Sequence, residues 1–257
     1  MRGFLEQIRP LARERADVAR RSEGRWVAMA RELPPPPSLL EALRRSTFAI
    51  IAETKERSPS RGRLESGVYD PVARARQYYS RGADAISVLT EPTFFGGSLE
   101  HLAAVARAVP LPVLRKDFLL DPAQVVEARA HGAAAVLLIV RLLPSGALRE
   151  MLDATRRFGV DALVEVHTAE ELYVALEAGA KVIGVNNRDL ETFATDVRRA
   201  LTLAPAIPAD RIAVAESGLA TPADLEAVRA AGFRAALIGE RFMTDGTALW
   251  ETVQAWR

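Results

Sequence analysis

The chain has 257 residues, of which 49% are hydrophobic, and a formal net charge of +1. This length suits one large domain, and the small net charge argues against binding to nucleic acid or to an anionic membrane. Cysteine is absent, which excludes disulfide bonds, thiolate catalysis and cysteine-ligated zinc and fits a cytoplasmic location. No stretch approaches the ~20 apolar residues that a membrane-spanning helix needs.

The first 47 residues predict helices that precede the main fold. Residues 1–21 mix Arg and Glu without the apolar region of a secretory signal, so we expect an amphipathic helix there. Four prolines at Pro34–Pro37 interrupt the helical pattern. We therefore expect a helical extension, residues 1–47, packed on a barrel of residues 48–257, as a single domain overall.

From Phe48 onward, short apolar runs alternate with segments of helical period. The eight runs are residues 48–53, 85–89, 112–116, 134–140, 162–166, 182–186, 212–216 and 235–239. Three of the helical segments open with a capping residue and a proline, after Asp70, Asp121 and Thr221. Alternating strands and helices imply parallel βαβ units. Eight units without a G-x-G-x-x-G turn favour a (β/α)8 TIM barrel, an α/β fold, with additional N-terminal helices.

Polar residues end several of these runs, where barrels of this type carry their chemistry. Side chains alternate along a strand, so Glu53 and Lys55, two apart, both point into the mouth. The other polar residues at run ends are Lys116, Glu165, Asn186 and Glu216. Each alone is as easily a solvated strand end, but the set holds two of only three lysines among 34 basic residues. The third, Lys181, lies at the opposite rim, and we expect an ordinary surface residue.

The last two runs end in loops that favour anion binding. Gly218 and Gly239 let backbone N–H groups approach an anion closely, at the two strands after which barrels often bind phosphate. Each glycine alone is more often a turn residue, but together they predict a phosphorylated substrate. The three histidines, His101, His131 and His167, lie in separate segments, so we predict no metal site and expect ordinary surface or helix residues.

Eight ordered motifs resemble the indole-3-glycerol-phosphate synthase family between about residues 48 and 243: IAETKERSPSRG, LTEPTFFGGSLEHL, PVLRKDF, VLLIV, LVEVH, GVNNRDL, AESGL and LIGERFM. The strings E-x-K-x-x-S-P-S and G-x-N-x-R-D-L are specific, whereas AESG and LIG recur among phosphate-binding barrels. The resemblance implies a carboxy-lyase of tryptophan biosynthesis. Its reaction would convert 1-(2-carboxyphenylamino)-1-deoxyribulose 5-phosphate to indole-3-glycerol phosphate, CO2 and water, and its N-terminal helices would cover the barrel top.

The resemblance also implies catalytic roles. Lys116 would be the general acid that protonates the ribulose carbonyl, Lys55 would pair with the substrate carboxylate, and Glu165 would act in the later proton transfer that expels water. The remaining polar groups would hold a substrate hydroxyl (Asn186) or orient the lysines and the substrate (Glu53 and Glu216). Because decarboxylation restores the aromatic ring, the reaction needs no cofactor.

Further matched residues would bind the substrate. The phosphate would contact Ser217, Gly218, Gly239 and the backbone N–H of Glu240, with Arg188 and Ser58 assisting, and Phe94 and Phe95 would pack on the anthranilate ring. Two positions depart from the family pattern. Arg61 stands where relatives often have lysine, and Glu240 begins a segment, Glu-Arg-Phe, where small residues are expected. The second departure puts a side-chain contact from Glu240 to phosphate in doubt. The composition of residues 57–64 suggests a loop that closes on the substrate.

Three alternatives remain open at this point. A phosphoribosylanthranilate isomerase type of barrel commonly uses a cysteine base, which is absent here. A Schiff-base aldolase could use Lys55 or Lys116 and would be trapped by borohydride. A non-catalytic barrel scaffold would be expected to have lost Lys116 or Glu165. The partner we expect is a phosphorylated small molecule, with no nucleic acid and no membrane, and the protein as a monomer or a weak homo-oligomer.

Overall fold

The barrel strands are described by a computed structural model that covers residues 3–59, 61–64, 67–244 and 246–257. Its strands are β1 Ala49–Thr54, β2 Arg57–Ser58, β3 Gly62–Arg63, β4 Ala85–Leu89, β5 Val113–Lys116, β6 Ala135–Ile139, β7 Asp161–Val166, β8 Val182–Asn186, β9 Ile212–Glu216 and β10 Ala235–Ile238. Eight of these strands are parallel and close in the order β1-β10-β9-β8-β7-β6-β5-β4, which confirms the (β/α)8 barrel. Each barrel strand starts and ends within one residue of its predicted run.

The helices alternate with the barrel strands. They are α1 Phe4–Arg21, α2 Glu23–Glu32, α3 Leu39–Arg45, α4 Pro71–Ser80, α5 Pro92–Phe95, α6 Leu99–Ala108, α7 Pro122–Ala130, α8 Ala147–Phe158, α9 Ala169–Glu177, α10 Arg198–Leu203, α11 Pro222–Ala230, α12 Glu240–Thr244 and α13 Thr247–Gln254. Asp70, Asp121 and Thr221 cap α4, α7 and α11 through their side chains, as predicted. In the described part of the chain no helix combines the length and apolarity needed to span a membrane.

The core has two layers separated by the sheet. Ile51 and Leu163 point into the barrel, whereas the neighbouring Ile50 and Val164 pack against the surrounding helices. Every residue of β1 is buried, because a parallel sheet inside a ring of helices has no solvent face. The same alternation brings the last inward position of each strand to the barrel mouth.

The N-terminal helices close both ends of the barrel. Phe4 in α1 packs edge-on against Phe94, Phe118 and Phe193, which follow the C-terminal ends of three strands. Leu40, at the start of α3, instead donates its backbone N–H to Asp161, the first residue of β7. The expectation that the extension covers the top is therefore correct for α1 and wrong for α3. The extended prolines carry the chain to the opposite end, where the leucines of α3 meet the barrel interior.

Candidate active site

The polar residues predicted for the site converge at the C-terminal mouth of the barrel. Five of them line one cavity of about 510 Å³: Glu53, Lys55, Lys116, Glu165 and Asn186. Such a volume lies in the usual range of small-molecule sites. Glu216 is placed differently: its side chain is 1% exposed and contacts Lys116 without belonging to the described cavity wall. Lys181 is exposed at the other rim, as predicted.

Lys116 ends β5 with its ammonium group between two carboxylates. The Nζ atom lies 3.6 Å from Oε2 of Glu165 and 3.7 Å from Oε2 of Glu216. Burial alone would lower the pKa of Lys116, but the negative charges of Glu165 and Glu216 outweigh burial and raise that pKa above its usual value. Lys116 is therefore a charged proton donor at neutral pH on the wall of the cavity.

Glu165 and Glu216 share this buried environment. Burial and the charge of Glu165 raise the pKa of Glu216 to about 8, although Lys116 opposes the shift. Glu216 therefore holds its proton to a higher pH than an exposed glutamate does. Within the described residues, none of the side-chain oxygens of Glu165 or Glu216 has a hydrogen-bond partner of normal geometry. Buried polar atoms are rarely left so, and an exception of this kind points to a functional site.

Glu53 and Lys55 form a second charged pair beside the first. The ammonium of Lys55 donates to Oε1 of Glu53. Burial disfavours the charged carboxylate, but Lys55 and Lys116 outweigh it and lower the pKa of Glu53. Glu53 therefore stays ionised and holds Lys55. Gly239, at the end of β10, leaves room for this pair, because a Cβ atom there would overlap Oε1 of Glu53 and lie 3.0 Å from Nζ of Lys55.

The residues predicted to bind phosphate lie together along the same cavity. Its wall includes Ser58, Arg188, Ser217, Gly218, Gly239 and Glu240. Ser217 and Gly218 have φ values of 63° and 72°, and a non-glycine residue in the left-handed region is unusual outside functional sites. The Glu240 carboxylate pairs with Arg188 at 3.2 Å and with Arg61. Glu240, where the family pattern has a small residue, therefore places a carboxylate beside the guanidinium groups of Arg61 and Arg188.

An aromatic and aliphatic wall completes the cavity. Phe95 lies in it as predicted, whereas Phe94 lies outside its described lining and packs against Phe4. No sequence signal indicated Phe4 or Phe193, which reach the cavity from α1 and from the loop after β8. Phe118 also lines the cavity and could have been found, because it lies two residues after Lys116 and so on the same side of the chain.

His167 and Asp117 are two further buried polar residues near the mouth. The sequence interpretation of His167 as an ordinary surface or helix residue is wrong: its side chain is 1% exposed and lies beside Glu165. Asp117 accepts from Arg15 at 3.1 Å and from Thr90 at 2.6 Å. Burial opposes ionisation of Asp117, but Arg115 and Arg15 outweigh it and lower its pKa. A charged network thus ties α1 to the end of β5.

Two further predictions concern metal binding and the loop after β1. No cluster of three or more potential metal-ligating side chains occurs in residues 3–59, 61–64, 67–244 and 246–257. The segment predicted to close on the substrate forms the short hairpin of β2 and β3. Ser60 within that segment lies outside the described residues.

Comparisons with known proteins agree with the geometry. The family model described as Indole-3-glycerol phosphate synthase matches residues 5–251. An indole-3-glycerol phosphate synthase of Mycolicibacterium vanbaalenii is 50% identical over 236 residues, which cover 90% of this chain and 86% of the relative. One of Chlorobium chlorochromatii is 48% identical over 219 residues, covering 84% and 85%.

Solved structures support the fold alone. A structure described as "Native KDPGal structure" superposes with a TM-score of 0.57 at 19% identity, covering 82% of this chain and 96% of the other. The Schiff-base aldolase, isomerase and scaffold alternatives lose their support, because the family model spans nearly the whole chain. From the barrel, the lysine–carboxylate mouth and these matches, we conclude that the chain belongs to the indole-3-glycerol phosphate synthase family of carboxy-lyases.

Proposed function

We propose that the cavity residues carry out the family reaction with one proton donor and one proton acceptor. Two groups of residues bind the anionic parts of the substrate, its carboxylate and its phosphate. The substrate is 1-(2-carboxyphenylamino)-1-deoxyribulose 5-phosphate, and the products are indole-3-glycerol phosphate, CO2 and water. The observation that carries the proposal is the position of Lys116, whose ammonium lies within 3.7 Å of Glu165 and Glu216 on the wall of a 510 Å³ cavity.

Lys116 acts first, in ring closure. The anilino ring carbon that bears the carboxylate attacks the ribulose carbonyl, whose oxygen must gain a proton as the C–C bond forms. An ammonium kept charged by carboxylates and enclosed by the barrel supplies that proton and stabilises the developing charge. Lys55, held by Glu53, pairs with the substrate carboxylate. The C–C bond to that carboxylate then breaks, and its electron pair restores the aromatic ring as CO2 leaves.

Glu165 acts in the second half of the reaction. Loss of water requires a proton on the departing hydroxyl and removal of a proton from the neighbouring carbon. Lys116 and the carboxylate of Glu165, 3.6 Å apart, serve as that acid and that base. Ring closure uses one proton on the carbonyl oxygen, and water loss uses a second on the departing hydroxyl. Since only one proton is returned, from the neighbouring carbon, the reaction takes up one proton overall, which balances the negative charge lost when the carboxylate becomes CO2. Asn186 holds a substrate hydroxyl, and Glu216 orients Lys116.

The phosphate end is set by the loops after β9 and β10 and by Arg188. The left-handed backbone at Ser217 and Gly218 turns the chain along the cavity wall, an arrangement that suits close approach of backbone N–H groups to an anion. Gly239 and Glu240, which follow the neighbouring strand β10, also line the cavity, as does Ser58. The carboxylate of Glu240 then holds Arg61 and Arg188 rather than phosphate. The aromatic side chain of Phe95 packs on the anthranilate ring.

The proposal is tested by indole fluorescence after mixing the purified protein with the substrate. Wild-type protein should form indole-3-glycerol phosphate, and Lys116→Ala should lose about a hundredfold to ten-thousandfold in kcat, the range that general acid catalysis contributes. The exposed Lys181 provides the matched control, and Lys181→Ala should keep wild-type kcat. Activity that survives in Lys116→Ala would remove Lys116 from the mechanism.

The setting of the enzyme is also part of the proposal. We place residues 1–47 and 48–257 in one domain, supported by the burial of Phe4, Ile8 and Leu39 against barrel residues. A cytoplasmic location is supported by the absence of cysteine. A monomer or weak homo-oligomer is checked by light scattering, where a stable dimer at micromolar concentration would contradict it.

A further inference from the structure

A row of buried charged groups continues behind Glu165, and the reaction described above does not use it. His167 follows β7 and places Nε2 3.5 Å from Oε1 of Glu165 and Nδ1 3.5 Å from Oε2 of Glu171. The imidazole therefore stands between two carboxylates, one from its own strand and one from α9. Its side chain is 1% exposed and does not belong to the described cavity wall, so His167 contacts the site through Glu165.

Glu171 is the fixed end of this row. Its carboxylate accepts the backbone N–H of His167 at 2.7 Å and Nε of Arg141 at 2.9 Å. Arg141 is itself tied to α1, because its carbonyl accepts from Arg9 at 2.9 Å. Burial disfavours the charged form of Glu171, but hydrogen bonds from His167 and the charge of Arg141 outweigh it and lower its pKa. Glu171 is thus an anchored negative charge facing Nδ1.

The two ring nitrogens of His167 face different carboxylates. Nδ1 faces the anchored carboxylate of Glu171 and Nε2 faces the carboxylate of Glu165, each at 3.5 Å. Within the described residues, neither ring nitrogen and neither oxygen of Glu165 has a hydrogen-bond partner of normal geometry, these 3.5 Å contacts included. The charged groups around the ring and its two neighbours are Glu165, Glu171, Arg141 and, across Glu165, Lys116.

We infer that His167 is a positioning residue for Glu165: held by Glu171 on one side, its ring donates a hydrogen bond to the Glu165 carboxylate and orients it toward Lys116 and the substrate. The arrangement repeats the physical logic in which a base is oriented by a second group that a third group holds. The inference rests on the proposed role of Glu165 as the base. It assigns a function to a histidine that contacts neither the substrate cavity nor Lys116.

The test compares His167→Phe and His167→Gln with a matched control, His131→Phe. His131 packs against Trp26 on the side of the barrel and has no contact with the site. His167→Phe should lower kcat by about tenfold to a hundredfold, as removal of an orienting hydrogen bond does elsewhere, with KM within about twofold. The acidic limb of the kcat–pH profile should move to higher pH, because a carboxylate that loses a donor binds a proton more readily.

The glutamine variant separates positioning from packing. Its amide N–H can replace one imidazole N–H, so His167→Gln should recover part of kcat and return the acidic limb toward the wild-type position. Equal kcat in both variants, with an unmoved limb and a lower Tm, would overturn the inference in favour of a structural role. Wild-type kcat in His167→Phe would also overturn it.

Glu165→Gln in the same assay identifies which proposal fails. A wild-type rate in Glu165→Gln would refute the role of Glu165 and, with it, the inference that depends on it. An inactive Glu165→Gln beside a fully active His167→Phe would refute the inference alone.

Discussion

At the scale of single residues, the position of Glu216 depends on the absence of a side chain on the neighbouring strand. Gly184 on β8 faces the barrel interior beside Glu216 on β9, and these strands pair in register. A Cβ atom at Gly184 would overlap Oε1 of Glu216 and lie 3.2 Å from Leu163. The carboxyl group of Glu216 therefore occupies the space that an alanine methyl group at position 184 would fill.

We expect Gly184→Ala to displace Glu216 and, through it, the ammonium of Lys116. Since a displacement of ~1 Å in a catalytic group can cost ~100-fold, kcat should fall by about tenfold to a hundredfold in the indole fluorescence assay. Gly24→Ala is the control, because a Cβ atom there meets nothing within 4 Å. Wild-type kcat in Gly184→Ala would contradict the packing argument.

The sequence predicted those site residues that follow from local rules. Alternation along a strand placed Glu53 and Lys55 on one side of the chain, and both line the cavity. His167 was missed although it lies two residues after Glu165 and so on the same side of the chain; its burial depends on how α9 packs over the end of β7. Phe4 is separated from the barrel strands by the whole extension, and no period in the sequence indicates which loop it will contact.

At the scale of elements, Arg15 of α1 pairs with two buried carboxylates at the barrel mouth. Arg15 contacts Asp117 at 3.1 Å and Glu91 at 3.6 Å, and its side chain is 21% exposed. Both carboxylates are buried, so removal of Arg15 leaves negative charge without part of its compensation. Arg20, one turn further along α1, pairs with Asp121 but is 61% exposed.

Arg15→Met should therefore lower the free energy of unfolding by about 1–3 kcal/mol and reduce the protection of α1 amides against hydrogen exchange. Arg20→Met, the matched control, should change stability by less than about 1 kcal/mol, because exposed ion pairs contribute little. Chemical denaturation and hydrogen exchange followed by mass spectrometry measure both effects. Equal protection of α1 in the two variants would show that Arg15 does not fasten the helix.

Elements with strong local signals were predictable, and short ones were not. The caps at Asp70, Asp121 and Thr221 and the apolar runs fixed helix starts and barrel strands to within about one residue. The hairpin of β2 and β3 and the four-residue helix α5 were missed, because two to four residues carry no periodicity. The location of α3 under the barrel follows from tertiary packing of its leucines, which the sequence alone does not specify.

At the scale of the whole molecule, the buried charges of the mouth make stability depend on pH. The pKa of Glu216 rises from 4.5 to about 8 in the folded protein, so the native state binds more protons than the unfolded state between these values. The contribution of Glu216 is fully present below pH 4.5 and is lost as pH rises toward 8. The lowered pKa of Glu53 acts in the opposite direction and at lower pH.

Glu216→Gln mimics the protonated carboxyl and should remove this dependence. The free energy of unfolding of the variant minus that of the wild type should increase as pH rises from 5 to about 8, measured by denaturant titration at each pH. A difference that is flat across this range would show that Glu216 is ionised in the native state at all these pH values.

The division of labour between Lys116 and Glu165 is tested most directly by a single-turnover experiment that follows CO2 and indole together. Lys116→Gln should release neither product at a useful rate, because ring closure precedes decarboxylation. Glu165→Gln should release CO2 and then stall before indole appears, leaving a hydroxylated indoline. Release of CO2 from Lys116→Gln at the wild-type rate, or indole from Glu165→Gln in step with CO2 at that rate, would contradict the account.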